Sequence, residues 1–297
     1  MPSPAQYLLP EVVRQVARLD LKARFIVEGF ISGLHRSPFH GFSVEFSEHR
    51  KYEPGDELHS VDWSVWARTD RYYVKRYKAE TNAEGYLVVD VSPSMAHRYR
   101  GTTKLEYCTM LAAALALLLI GQQDPVGLIT FDSQVRNVVP PRSKRSHLPV
   151  LLAELSKATA GGGTNIGAAL HQVADLIRHR GFVVVFSDLL SDTAAALDGL
   201  RHLAYRKHDL ILFHVLDEAE ATLPFEDYAH FEDPETGETV SADPQALRES
   251  YLARLKEFVD EYRRECAGLR ADFLSVDTAT PFDKALTSFV RMRSEGR

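Results

Sequence analysis

Between residues 85 and 217 the chain alternates short apolar runs with segments of helical length, and this alternation constrains the fold more than any other feature. The apolar runs are rich in β-branched and aromatic residues and show no polar alternation: YLVVDV, VGLITF, FVVVFSDLL and DLILFHVLD. Strands buried on both faces have this composition, and a sheet covered on both faces is typically parallel. The pattern therefore predicts an α/β fold, with a doubly wound, mostly parallel sheet and helices on both faces.

The segments between and after these runs complete the predicted domain, which spans residues 85–297. A hairpin inserted at about residues 218–244 is predicted from the turn sequence DPETG between two short strand-like pieces. Two more strands are predicted in VRNVV and ADFLSVDT. Helical spacing of apolar residues predicts six helices: Lys104–Ile120, Ser146–Thr159, Ile166–Arg180, Thr193–His208, Gln245–Leu269 and Phe282–Arg293.

Residues 1–84 differ in composition and are predicted to form a separate N-terminal region, helices first and strands after them. Apolar spacing in Pro10–Leu34 predicts helices. The block His35–Glu80 is dense in Gly, Pro, aromatic and charged residues, and within it GFSVEF and YYVKRYK alternate with period two, as half-exposed strands do. The run RTDRYYVKRYK also mixes cations with aromatics, as a surface for single-stranded nucleic acid does, but its alternation and acidic neighbours favour an exposed strand.

Charge and composition exclude some classes of protein. The net charge of −6 argues against a strongly basic nucleic-acid binder. Cys108 and Cys266 lie far apart in apolar helical patterns, which favours buried thiols in a reducing compartment. The longest apolar run, Met110–Ile120, is about half as long as a bilayer crossing, and no signal peptide opens the sequence. We therefore expect a cytoplasmic protein without a membrane span.

Oxygen-bearing side chains follow the predicted strands at one edge of the sheet. Asp90, Ser92 and Ser94 end the first strand in DVSPSM, Thr164 lies in the loop AGGGTN, and Asp188 ends FVVVFSD. The carboxyl ends of parallel strands share one edge, so these five side chains are expected to converge there. A set of hydroxyls and carboxylates without His or Cys favours a hard cation, Mg2+ first, with Mn2+ and Ca2+ as alternatives.

The same residues allow other interpretations. Ser92 and Ser94 are suited to capping the next segment, with Asp90 bonded to turn amides. A phosphoaspartate hydrolase needs a second Asp at position 92, and neither a Gly-x-Ser-x-Gly elbow nor a P-loop lysine is present. A metal-dependent hydrolase acting on phosphoesters at the same rim stays open as the alternative function. Zinc is disfavoured because four N-terminal histidines match no ligand spacing and no cysteine joins them: His35, His40, His49 and His59.

The spacing of the five oxygen ligands resembles the metal-ion-dependent adhesion site of von Willebrand factor A-like domains. That site is Asp-x-Ser-x-Ser, then a Thr, then an Asp on a later strand, and all five positions are matched here: Asp90, Ser92, Ser94, Thr164 and Asp188. The resemblance implies that the serines and Thr164 contact the metal, directly or through water, while the aspartates supply charge around it.

Motifs in the N-terminal block, together with DVSPSM, indicate a more specific family resemblance. GFSVEFSEHRKY, EPGDE, VDWSVWART and DVSPSM resemble the signature of the bacterial family named domain of unknown function 58. The resemblance implies a non-enzymatic adaptor or chaperone-like partner of a MoxR-type AAA+ ATPase, with a carboxylate of the ATPase or of a client protein completing the metal site. Many relatives carry N-terminal transmembrane helices, and none is predicted here. The block itself is either a second partner surface or an anchor against the sheet.

Overall fold

The computed structural model describes residues 44–51, 65, 72–79, 84–281 and 284–285. These residues belong to two compact units that divide between residues 82 and 83. The predicted domain division at residues 84 and 85 stays a prediction. Several other predictions fall outside the described residues: the helices in Pro10–Leu34, three histidines of the N-terminal block, and most of the helix Phe282–Arg293.

The smaller unit contains an antiparallel pair of strands, β1 (Val44–Lys51) and β2 (Tyr73–Ala79). Val44 pairs with Ala79 and Lys51 with Tyr73, and an irregularity between Phe46 and Glu48 shifts the register. Both strands overlap the predicted segments GFSVEF and YYVKRYK. β1 continues beyond its predicted end at Phe46, because the charged residues after it pair with β2.

The larger unit is built on a six-stranded sheet. Its strands and those of a separate hairpin are β3 (Glu84–Asp90), β4 (Val126–Phe131), β5 (Val135–Arg142), β6 (Gly181–Ser187), β7 (Asp209–Leu216), β8 (Ala229–Glu232), β9 (Thr239–Ala242) and β10 (Asp272–Asp277). The order in the sheet is β10-β7-β6-β3-β4-β5, and every neighbouring pair is parallel except β4 and β5. The predicted doubly wound, mostly parallel sheet is confirmed.

β5 is antiparallel because only three residues join it to β4, and a parallel crossover needs a dozen or more. It lies at an edge of the sheet, where Pro140 and Pro141 are tolerated because their missing amide hydrogens leave no inner ladder broken. β8 and β9 pair antiparallel with each other, inside the segment predicted as an inserted hairpin.

Helices cover both faces of the sheet. They are α1 (Lys104–Gly121), α2 (Leu148–Lys157), α3 (Ile166–Leu176), α4 (Thr193–Tyr205), α5 (Glu218–Thr222) and α6 (Pro244–Gly268). Alternate residues of β3 enter different cores: Leu87 and Val89 pack with α1 and α2, whereas Tyr86 and Val88 pack with α3, α4 and α6. All strand-to-helix loops of the parallel strands therefore emerge at the same edge.

One predicted helix is shorter than expected and one helix has no predicted counterpart, each for a local reason. α3 ends at Leu176, four residues before the predicted end, because Ile177 adopts an extended backbone (φ −82°, ψ 101°) that buries its side chain in the core. α5 was not predicted at all. It is one short turn, closed by a capping box between Asp217 and Glu220.

α1 is the one helix of the described residues that is long and apolar enough to cross a membrane by length and composition. Of that segment, 72% is buried inside the protein, as is usual for the core helix of an α/β domain. Its first turn is fixed by a capping box between Thr103 and Glu106.

Candidate metal centre

Each of the four inner strands ends in a buried aspartate. β3 ends at Asp90, and Asp132, Asp188 and Asp217 directly follow β4, β6 and β7. None of the four is more than 1% exposed. β3 and β6 are neighbours at the point where the strand order reverses, so Asp90 and Asp188 flank the crevice in which doubly wound sheets bind ligands. Sequence reasoning missed Asp132 and Asp217, although the same strand-end pattern marks them.

Asp132 and Asp217 have structural partners. The Asp132 carboxylate contacts the Arg136 guanidinium and accepts the Gln134 amide hydrogen at 3.1 Å, which closes the turn between β4 and β5. Asp217 accepts amide hydrogens from Ala219 at 2.9 Å and Tyr99 at 3.1 Å, and so caps α5 and holds the loop that precedes α1. These two carboxylates are compensated within the fold.

Asp188 is compensated by a buried lysine that sequence reasoning also missed. Lys104 Nζ lies 2.7 Å from Asp188 Oδ2 and 2.6 Å from Glu220 Oε1, and the lysine side chain is fully buried. Burial lowers the pKa of Lys104, but the charges of the two carboxylates outweigh it, and the net pKa is raised. Lys104 is the first residue of the apolar helix α1, a position at which the helix dipole disfavours a cation. A lysine at this unfavourable position is the sequence feature from which a buried ion pair could have been predicted.

Asp90, in contrast to Asp132 and Asp188, forms no ion pair with a cationic side chain within residues 84–281. It accepts the Ser92 amide hydrogen at 2.8 Å and the Ser187 hydroxyl hydrogen at 2.6 Å. Burial, followed by the charge of Asp188, raises the pKa of Asp90 to about 7, while the hydrogen bonds act in the opposite direction. With Asp90 ionised, three carboxylates (Asp90, Asp188 and Glu220) face one ammonium, Lys104, which leaves a surplus of two negative charges.

The two serines add oxygen atoms next to this surplus. Ser92 and Ser94 are buried, and their Oγ atoms lie 3.1 Å apart. Ser92 stands at the N-cap of the 3-10 turn Pro93–Ala96, yet its hydroxyl makes no capping bond. The capping interpretation therefore describes Asp90, which accepts a turn amide, but it does not describe the Ser92 side chain.

Thr164 belongs to a loop that is bonded to the end of β3. The Gly161 amide donates to the Val91 carbonyl oxygen at 2.9 Å. Gly162, with φ +88°, packs so closely on Asp132 that a Cβ atom would lie 2.2 Å from the carboxylate oxygen. The Thr164 hydroxyl itself donates to the carboxylate of Glu235, in the turn between β8 and β9.

Asp90, Ser92 and Ser94 are thus in direct contact: the Ser92 amide donates to Asp90, and the Ser92 and Ser94 hydroxyls contact each other. Asp188 joins them through its charge on the neighbouring strand, and Thr164 through the loop bonded to β3. Among the described residues, no group of three or more His, Cys, Asp or Glu side chains is placed to hold a metal ion. A metal here would need the hydroxyls, and a set of hydroxyl and carboxylate oxygens fits Mg2+. The ligand assignment stays a prediction.

Comparison with known proteins identifies the family. The family model described as "Protein of unknown function DUF58" matches residues 48–259. The chain belongs to this family. Uncharacterized proteins of Mycobacterium tuberculosis and Mycobacterium bovis are 28% identical to it over 292 residues, which cover 97% of this chain and 91% of theirs.

Two solved structures resemble the larger part of the chain. The conserved hypothetical protein BatB from Bacteroides thetaiotaomicron is 19% identical, with a TM-score of 0.46, and the match covers 72% of this chain and all of BatB. The SpRpn10 VWA domain is 12% identical, with a TM-score of 0.40, and the match covers 69% of this chain and 94% of the domain. The strand order and the antiparallel edge strand of this DUF58 protein agree with the von Willebrand factor A-like fold that its motifs predict.

Replacing Lys104 with Met should destabilise the protein strongly. The substitution leaves Asp188 and Glu220 without their shared cation, and breaking a buried ion pair costs about 3–5 kcal/mol. Chemical denaturation measures the change in the free energy of unfolding. Lys157→Met is the matched control, because Lys157 forms an exposed pair with Glu154 that is worth less than about 1 kcal/mol. Equal losses in the two variants would contradict the compensating role of Lys104.

Asp90→Asn should change how stability depends on pH in buffer that contains EDTA. Because the pKa of Asp90 is raised in the folded state, its contribution is favourable near pH 4 and is lost as the pH rises towards 7. The variant lacks this loss, so its stability relative to the wild type should rise by about 2–3 kcal/mol between pH 5 and pH 7.5. Urea denaturation at each pH measures the difference, with the exposed Asp227→Asn as control. A pH-independent difference at Asp90 would refute the charge surplus.

Gly162→Ala should destabilise the loop that carries Thr164. The left-handed backbone and the contact with Asp132 both exclude a methyl group, at a cost of about 1–3 kcal/mol. Gly161→Ala is the neighbouring control, because a Cβ atom at Gly161 meets no heavy atom within 4 Å. Thermal unfolding of both variants measures the effect, and a Gly162→Ala protein as stable as Gly161→Ala would show that the loop is not held as described.

Proposed function

We propose that this DUF58 protein is a non-enzymatic interaction module that binds protein partners through a divalent cation, Mg2+ above all, at the carboxyl edge of its sheet. Membership of the family and the von Willebrand factor A-like fold support an interaction module. The observation that supports metal dependence is the buried Asp90 carboxylate, which has hydrogen-bond donors but no ion pair within residues 84–281 and lies next to the paired hydroxyls of Ser92 and Ser94.

The chemistry of the rim defines the partner. A bound Mg2+ ion would supply a Lewis-acidic position open to one more oxygen ligand. Ser92, Ser94 and Thr164 would hold the ion, while Asp90 and Asp188 supply charge. A carboxylate from an Asp or Glu of the partner suits the remaining position. The resemblance to the family points to a MoxR-type AAA+ ATPase, or a client that it remodels, as the source of that carboxylate.

The ionisation of the buried groups favours binding over catalysis. The pKa of the Cys108 thiol is raised well above its ordinary value, first by burial and then by the charges of Asp90 and Asp188, so the thiol stays protonated. Lys104 is held as an ammonium by its two carboxylates. Cys108 and Lys104 are thus both kept in the forms that do not act as nucleophiles.

Metal-dependent association tests the proposal. Isothermal titration should show Mg2+ binding to the wild-type protein, and Ser92→Ala should weaken it about tenfold or more. Ser146→Ala is the control, because it lies beside His147, which contacts the first residue of β4 at the opposite edge of the sheet. Association with a MoxR-type ATPase from the same genome should be lost with EDTA and in Ser92→Ala. Association that survives both changes would refute the proposal.

The rival function is a metal-dependent phosphoester hydrolase at the same rim. Incubation with ATP and p-nitrophenyl phosphate, with and without Mg2+, distinguishes the two. We expect no turnover above that of Mg2+ alone. Turnover that requires the wild-type protein and disappears in Asp188→Asn would replace the proposed function with the hydrolase.

A further inference from the structure

The inserted hairpin brings an acidic side chain onto a predicted metal ligand. Glu235 lies in the turn between β8 and β9, and its carboxylate accepts the hydrogen of the Thr164 hydroxyl. The two residues are 71 positions apart in the chain. A carboxylate is the very group expected from a partner at this rim, and here the chain supplies one itself.

The turn that carries Glu235 is ordered by its own hydrogen bonds. The Asp233 carboxylate accepts the Glu235 amide hydrogen at 2.8 Å and the Thr236 hydroxyl hydrogen at 2.9 Å. The Gly237 amide donates to the Asp233 carbonyl oxygen at 2.8 Å, and Gly237 has the positive φ of +71° that closes such a turn. The direction of the Glu235 backbone is therefore fixed by the turn and does not depend on the contact with Thr164.

The hairpin is also fixed to the rim at its base. Phe231 of β8 packs edge-on against Phe225, with ring centroids 5.9 Å apart, and Phe225 packs edge-on against Tyr99 at 5.3 Å. Tyr99 belongs to the loop that runs from Ser94 to α1. Arg248 of α6 donates to the carbonyl oxygens of Leu223 and Phe225 at 3.0 and 2.9 Å. These contacts join the base of the hairpin to the loop between Ser94 and α1, while the Glu235 contact joins its turn to the loop that carries Thr164.

We propose that Glu235 is an internal carboxylate ligand of the candidate metal centre, and that the hairpin must move aside before a partner carboxylate can bind. This inference rests on the proposed function of the rim. A tethered carboxylate acts at an effective concentration in the millimolar range, so it competes with a partner present at micromolar concentration. The apparent affinity for the partner is then lower than the intrinsic affinity, in proportion to the fraction of molecules in which the hairpin is displaced.

Mg2+ titration of the full chain tests the inference without knowledge of the partner. Glu235→Gln removes the charge and keeps the shape, and it should weaken Mg2+ binding about tenfold, because one anionic ligand is lost. Glu238→Gln is the matched control, since Glu238 lies at the end of the same turn. Hydrogen exchange supplies a second measurement: Mg2+ should slow amide exchange at residues 233–238 in the wild type and in Glu238→Gln, but not in Glu235→Gln.

The outcomes separate this inference from the proposed function. If Mg2+ binding depends on Ser92 but is the same in Glu235→Gln and Glu238→Gln, the contact with Thr164 is only a surface hydrogen bond and the inference is overturned, while the function of the rim stands. If the wild type binds no Mg2+, both fail. Because Glu235 is exposed, circular dichroism and thermal unfolding should show that both variants fold as the wild type does.

Discussion

Buried negative charge at one edge of the sheet is the constraint on which the rest of this structure depends. A carboxylate withdrawn from water costs several kcal/mol unless a cation or hydrogen bonds compensate it. Asp132 has Arg136, Asp188 has Lys104, and Asp217 has backbone amides. Asp90 accepts hydrogen bonds but pairs with no cation among residues 84–281. Its pKa is raised because burial and the charge of Asp188 are not balanced by a positive charge. A divalent ion would complete a compensation that the chain leaves unfinished.

The same constraint explains local features that otherwise look arbitrary. Glu220 uses both carboxylate oxygens: one pairs with Lys104 at 2.6 Å, and the other accepts the Asp217 amide hydrogen at 2.7 Å. The short helix α5 is therefore joined to the buried ion pair by the residue that caps it. Tyr251 of α6 donates its hydroxyl hydrogen to the Glu220 carbonyl oxygen at 2.7 Å, which fixes α5 from the other side. A single buried lysine thus ties together α1, α5 and β6.

How far the sequence predicts this molecule depends on the range of each interaction. A strand that is buried on both faces appears in the sequence as a continuous apolar run. The apolar runs therefore predict the parallel sheet and the edge at which Asp90 and Asp188 lie. Asp132 and Asp217 also follow apolar runs directly, so the same pattern predicts their position at this edge. Lys104 pairs with a residue 84 positions away, and Glu235 with one 71 positions away. Such pairs are fixed by how α1 and the hairpin pack, which no local period encodes.

The position of the hairpin follows from topology. A segment inserted after the inner strand β7 must emerge at the carboxyl edge, because all loops that follow the parallel strands do so. An insertion there reaches the candidate metal centre without any change to the sheet, and the exposed turn leaves the choice of Glu at position 235 free of any demand from the core. The antiparallel pairing of β8 with β9 fixes which residues form its tip. One acidic residue at that tip is enough to turn a structural insertion into a competitor for the partner.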